Sequence, residues 1–383
     1  MTTAPSLTTP PIANGLEDIA TALAAHIRQQ IASNGGWIGF DTFMALALYT
    51  PGLGYYAHGS AKFGALPQGV GGAGSDFVTA PEMTPLFGQA LARQVAQALE
   101  VSGTNEVWEF GAGTGALASQ LLGALGDKVR RYTIVDLSDS LKDRQRQALL
   151  AYGDKVQWAT ALPTALRGVV VGNEVLDAMP VQLLARVGGV WHERGVVCAN
   201  NNDIEGFAWG DRPTALRPPL EVEGEHDYLT EIHSQGEAFI RTLADRLQVG
   251  AAFLLDYGFP ESEYYHPQRH MGTVMCHRAH QSDGDPLADV GLKDITAHVN
   301  FTGMAVAAQD AGLEVLGYTN QGHFLINCGL ALAMEQAPLQ ERVTAHKLIT
   351  EHEMGEFFKV IGLCKGSPWD AIGFARGDRT HRL

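Results

Sequence analysis

Between the apolar run Val107–Phe110 and a helical pattern opening at Gly115, the chain reads Glu109-Phe110-Gly111-Ala112-Gly113-Thr114-Gly115. Glycines in a strand-to-helix turn permit a tight bend and let a ligand lie against bare backbone at a helix N-terminus. Roughly 20 residues beyond the turn, at the end of the run Tyr132–Val135, comes Asp136, followed by Leu137; an acid at that spacing can accept both hydroxyls of a ribose. Glu109 discriminates between nucleotides. A carboxylate there would meet a pyrophosphate unfavourably, but it suits S-adenosylmethionine, which has a ribose, a sulfonium and an α-amino group and no phosphate. The expected cofactor site is Glu109, Gly111, Gly113, Gly115, Asp136 and Leu137. A nicotinamide oxidoreductase is the disfavoured alternative, and a purely structural turn the bland one.

Outward from this turn, short apolar runs alternate with helices. Val107–Phe110, Tyr132–Val135, Val156–Trp158 and Val169–Val171 read as strands, with helices from Gly115 and Ser138. Such alternation predicts βαβ units and a parallel, doubly wound Rossmann-like α/β sheet. Residues 1–100 read as an N-terminal helical cap with a Gly-rich lid loop. That cap contains a helix over 15–33, a second helix after Asp41 as N-cap, a long loop from Gly52 to Thr84 and a helix over about 84–100. Residues 101–383 read as the core. It carries a β-meander insertion near 181–225, with turns at Gly188-Gly189 and Asn200–Asn202, and a variable segment near 259–301. A helix near 234–247, strands at 251–256, 313–318 and 357–364, and helices around 323–352 complete the expectation.

The composition narrows the function classes. A formal net charge of −15 argues against nucleic acid as the main partner, because phosphate binding depends on clustered Lys and Arg. The four cysteines, Cys198, Cys276, Cys328 and Cys364, are scattered and form no C-x-x-C pair, the usage of a reducing compartment. No apolar run reaches the length of a membrane span, and the first residues resemble neither a secretory signal nor an Arg-rich presequence. These features predict a cytoplasmic protein with no membrane insertion. Cys276-His277-Arg278-Ala279-His280 invites a metal reading, but no second ligand pair at suitable spacing accompanies it, so no metal is expected. The oligomeric state is open, a homodimer included.

Six segments together resemble the MidA family of class I S-adenosylmethionine-dependent methyltransferases. They are the stretches 49–56 (Tyr-Thr-Pro-Gly-Leu-Gly-Tyr-Tyr), 76–82 (Asp-Phe-Val-Thr-Ala-Pro-Glu), the turn 109–115, 173–180 (Asn-Glu-Val-Leu-Asp-Ala-Met-Pro), 256–258 (Asp-Tyr-Gly) and 294–301 (Asp-Ile-Thr-Ala-His-Val-Asn-Phe). The Gly-rich stretch Ala65–Gly74 departs from the pattern in length. The resemblance implies S-adenosylmethionine as cofactor and S-adenosylhomocysteine as product. For the family's mitochondrial relatives it implies methylation of an arginine on a protein partner, a respiratory-complex subunit. An arginine nitrogen must be held and deprotonated, since free guanidinium is fully charged. Asn173, Glu174 and Asp177 are the expected catalytic residues, at the carboxyl edge of the fourth core strand where open α/β sheets place ligands. Thr79, Pro81, Glu82, Asp256 and Tyr257 are the expected substrate-side wall. The competing reading has Asp177 capping a short helix, Glu174 paired locally, and Glu82 merely complementing a helix dipole. A cofactor-binding assembly chaperone with little turnover and a small-molecule methyltransferase are the alternative functions.

Overall fold

The computed structural model describes residues 15–57, 79–136, 139–201, 204–278 and 281–383. Leu137, Asp76–Val78 and the Gly-rich stretch before them lie outside these residues. Seven segments make up the main path of the central sheet: β1 (Glu106–Phe110), β2 (Arg131–Val135), β3 (Val156–Ala159), β4 (Leu166–Asn173), β5 (Leu247–Phe259), β6 (Glu314–Asn320) and β7 (Phe358–Lys365), and a short eighth strand, Val299–Asn300, pairs with the end of β5. Their order is β6-β7-β5-β4-β1-β2-β3. Strand β7 runs antiparallel to both neighbours, and the other pairs are parallel. The inner strands read as continuous Val/Ile/Leu runs because helices cover both of their faces. Winding goes outward in both directions from the β1/β4 pair, which makes the carboxyl edge there a topological switch point.

The chain's main helices are α1 (Leu16–Ser33), α2 (Phe40–Tyr49), α3 (Leu86–Ser102), α4 (Ala116–Leu125), α5 (Asp139–Ala148), α6 (Ser234–Arg246) and α7 (Phe301–Asp310). In α3, Phe87, Leu91, Val95 and Ala98 recur at helical spacing and are all buried. With Leu117 and Leu121 of α4 they cover one face of the sheet, joined by the C-terminal helices between Gln321 and Ile349. Ile240 and Leu243 of α6 and Phe301 and Met304 of α7 cover the other.

Between β4 and α6 the chain departs from the doubly wound plan. Gln182–Val187, Val190–Asn201, Ile204–Pro213 and Tyr228–Ile232 form an antiparallel sheet, its first hairpin turning through Gly188 and Gly189 at φ +55° and +80°. Positive φ at both central residues matches the twist of the flanking strands. The cap is built onto this sheet. Ile38–Gly39 pairs with it at Ile38↔Val196, and Leu23, Ile27, Phe43 and Leu48 share a core with Leu183 and Val196. Asp41, expected as an N-cap, lies instead in the first turn of α2, and Gly39 is the cap. The paired strand Ile38–Gly39 runs straight into the helix and leaves no room for a separate capping residue. The variable segment carries a small sheet of Gln281–Asp283, Met275–Arg278 and Asp294–Thr296. Cys276 is buried there, on the cap's core.

Candidate active site

The glycine turn bends as its composition requires. Gly111, Gly113 and Gly115 stand at φ +64°, +52° and +87°, a region that side-chain-bearing residues rarely adopt. A Cβ on Gly111 would lie 3.2 Å from Val175 Cγ2, so that position is also closed by packing. Gly115 caps α4. Inside β1, Glu109 is buried, and Tyr132 donates a 2.8 Å hydrogen bond to its Oε2. Burial pushes its carboxyl up to about 8, against the pull of that hydrogen bond. Such an acid is held neutral until a cation arrives to pair with it.

Asp136 ends β2 and lines the same cleft. Its position is set by Gln145, whose Nε2 donates to Asp136 Oδ2 at 3.0 Å and to the Gly113 carbonyl at 2.9 Å. Gln145 Oε1 in turn accepts from Trp158 Nε1 at 2.9 Å. Sequence reasoning missed this residue, although a signal exists. Gln145 sits midway between Leu141 and Leu149 at i, i+4, i+8 and is buried like them, an amide where the period asks for an apolar side chain.

A cleft of about 820 Å³ opens from the glycine turn over the ends of β4 and β5 and under the cap. Glu174, directly after β4, has φ +55°, unusual for a residue with a long side chain and found where the surroundings over-determine the backbone. Here they do. The Glu174 amide donates to the Leu255 carbonyl at 2.9 Å. The next three amides, of Val175, Leu176 and Asp177, all donate to Asp256 Oδ2 at 3.0, 2.8 and 3.2 Å. Asp177 is buried and accepts from the Tyr257 hydroxyl; burial raises its carboxyl to about 6. Burial, with the nearby Asp177 charge next, raises Glu174 to about 8. Asn173 Nδ2 donates to Glu174 Oε1 at 2.9 Å, while Asn173 Oδ1 is buried with no partner among the described residues.

Of the expected site residues, Glu109, Gly111, Gly113, Asp136, Asn173, Glu174, Asp177, Tyr257, Thr79, Pro81 and Glu82 line this one cleft. Gly115 stands behind it as a helix cap. Asp256 is buried beneath it, not in its wall, and holds the 175–177 turn. Glu82, expected on the acceptor side, is tied to the glycine turn: Thr114 Oγ1 donates to its Oε1 at 3.1 Å, and Gln120 Nε2 donates to the Pro81 carbonyl at 2.6 Å. Tyr49, Tyr56 and Asp294 also line the cleft and were not singled out as site residues, although two of the six resembling segments contain them. The glycine cradle, the two acids Glu109 and Asp136 and the absence of a required phosphate partner fit a sulfonium nucleoside, which supplies an electrophilic methyl carbon when bound.

Residues 90–319 match the profile of a family described as S-adenosyl-L-methionine-dependent methyltransferases. A COG1565 superfamily member from Burkholderia thailandensis, solved with bound S-adenosylhomocysteine, is 47% identical, with a TM-score of 0.90 over 99% of this chain and 100% of that one. The protein arginine methyltransferase NDUFAF7 of Danio rerio mitochondria is 26% identical, covering 91% of this chain and 88% of that protein. The Caenorhabditis elegans mitochondrial homologue of NDUFAF7 is 27% identical, covering 75% and 72%. The expectation of a cytoplasmic protein does not stand against these curated relatives, which are mitochondrial by name. Cysteine usage reports a reducing environment, and that does not distinguish the two compartments. No helix among the described residues is long and apolar enough to cross a membrane. A glycine cradle at the switch point, the acids Glu109 within the first strand and Asp136 just past the second, and a relative holding the spent methyl donor lead to one assignment: the chain belongs to the MidA family of class I S-adenosylmethionine-dependent methyltransferases.

Proposed function

We propose that this methyltransferase transfers its methyl group to an arginine side chain of a protein. The observation that carries the reading is the pair Glu174 and Asp177, two carboxylates on one wall of the cleft beside the donor turn. A guanidinium is a flat cation whose N–H groups match carboxylate oxygens. In this reading Glu174 accepts from the reacting nitrogen and takes its proton. Asp177, oriented by the Tyr257 hydroxyl, holds the other side of the cation, and Asn173 keeps the Glu174 carboxylate in place. Alignment is the main contribution, because in-line displacement at a methyl carbon needs a positioned nucleophile more than covalent help. Curated relatives named as protein arginine methyltransferases support the same substrate class, at 23% to 27% identity.

The test is to incubate the purified protein with radiolabelled S-adenosylmethionine and a protein extract, and then to hydrolyse the protein fraction. Labelled methylarginine is expected. Glu174→Gln should lower its yield at least 100-fold, about 2.7 kcal/mol of transition-state stabilisation, with S-adenosylhomocysteine binding changed by less than about threefold. Label only in another amino acid, or in small molecules, overturns the arginine reading. A small-molecule methyltransferase is then the better description.

A further inference from the structure

The cleft that Glu174 and Asp177 line has a further polar cluster, built from parts of the chain far apart in sequence. Tyr56, just after α2, donates its hydroxyl to both oxygens of Asp294, at 2.8 and 2.9 Å. Asp294 belongs to the small sheet of the variable segment. Tyr49, at the end of α2, donates to the Ala178 carbonyl at 2.7 Å, beside Asp177. The two rings lie nearly parallel, with centroids 5.7 Å apart and planes 22° from each other. All three residues face the cleft that Glu174 and Asp177 line. After burial, the Asp294 charge is among the influences that raise both Glu174 and the Tyr49 hydroxyl. The buried, unpartnered Asn173 Oδ1 in the same cleft is an acceptor still lacking an N–H donor.

We infer that Asp294 is a third substrate-contacting carboxylate, and that Tyr56 and Tyr49 present it so that the acceptor pocket selects a planar cation bonded on two edges. The inference rests on the arginine reading and adds the residues that set the selectivity. Three carboxylates around one cleft can share the edges of a guanidinium, whose donors point in several directions within one plane, whereas an ammonium offers a single compact head. Tyrosine rings beside the cation add attraction to its face. Asp294 belongs to the small sheet of the variable segment rather than to the core sheet.

The experiment titrates the full-length protein, saturated with S-adenosylhomocysteine, with agmatine and separately with n-pentylamine, followed by ligand-observed NMR. Wild type is expected to bind agmatine at least tenfold more tightly than pentylamine. Asp294→Asn should lose at least tenfold in agmatine affinity and most of that preference. Tyr56→Phe should lose about threefold, and both variants should keep wild-type S-adenosylhomocysteine affinity. Agmatine binding that is unchanged in Asp294→Asn overturns the role of Asp294 and leaves the arginine reading standing. Parallel loss of S-adenosylhomocysteine affinity in Asp294→Asn overturns it too, since the residue is then structural. Should that variant not fold, Tyr56→Phe decides: unchanged agmatine affinity overturns the inference. Failure of wild type to bind agmatine removes the arginine reading, and the inference falls with it.

Discussion

Glu174 shows how one residue's chemistry is prepared by its neighbours. Its backbone is held at positive φ by the Leu255 carbonyl on one side and the Asp256 carboxylate on the other. Its side chain is desolvated and faces other acids, so it carries a proton near neutral pH. Delivery of a cationic acceptor favours the ionised form. If Glu174 must lose that proton to act as base, kcat/KM rises with pH between about 6 and 8, the values to which Asp177 and Glu174 are raised. Initial rates from pH 5.5 to 9 check this. Glu174→Asp, which keeps the acid but shortens it, should keep the rising limb at a lower plateau; a flat profile in wild type removes Glu174 as the base.

The βαβ alternation from 107 to 171 was legible as elements because strands covered on both faces are uniformly apolar and helices show their period. The glycine turn was legible because only glycine tolerates its φ values. The antiparallel insertion announced itself through Gly188-Gly189. What the chain's order concealed was partnership. No local pattern says that Ile38–Gly39 pairs with a strand beginning at Val190, or that Asp256 lies under the turn it organises. Asp256 and Glu82 both read as substrate-side wall; Asp256 lies beneath the cleft and serves the backbone, whereas Glu82 lines the cleft and also clasps the donor turn. Helix α5 carries a prediction of its own. Gln145 is a fully buried amide in line with Leu141 and Leu149, and it fixes both Asp136 and the Gly113 carbonyl. Gln145→Leu keeps the helix period but removes the amide donor that ties Asp136 to the Gly113 carbonyl, at about 0.5–1.5 kcal/mol for each hydrogen bond lost. The affinity for S-adenosylhomocysteine should fall about tenfold by calorimetry, with acceptor-side binding of agmatine unaltered. Unchanged nucleoside affinity would mean that Asp136 is held well enough by the strand end alone.

At the scale of the molecule, buried acids and a net charge of −15 act in the same direction. Glu109, Glu174 and Asp177 all have carboxyls raised above their ordinary values. The folded state therefore binds more protons than the unfolded chain at neutral pH. Linkage then gives stability that is highest near and below the ordinary carboxylate range and falls as pH rises toward about 8. This is the reverse of an acid stabilised by an ion pair. One such group contributes a slope of at most about 1.4 kcal/mol per pH unit. The unliganded protein should therefore lose thermal stability between pH 5.5 and 8. Glu109→Gln, neutral and nearly isosteric, should flatten part of that loss in melting curves recorded across the range. Equal slopes in variant and wild type would show that Glu109 is ionised throughout.

The two halves of the cleft also differ in how far the chain must travel to assemble them. Gln145 reaches Asp136 across 9 residues and the Gly113 carbonyl across 32. Tyr257 reaches Asp177 across 80, Tyr49 reaches Ala178 across 129, and Tyr56 reaches Asp294 across 238. Closing long loops costs entropy before any contact repays it. In the order of synthesis, the donor-side residues from Glu109 to Asp136, with Gln145 and the Trp158 that holds it, have all been made by the end of β3, while the seat of the acceptor waits for Asp294 to meet a tyrosine made near the start. A chain made only as far as β3 has those donor-side groups and none of the three carboxylates Glu174, Asp177 and Asp294.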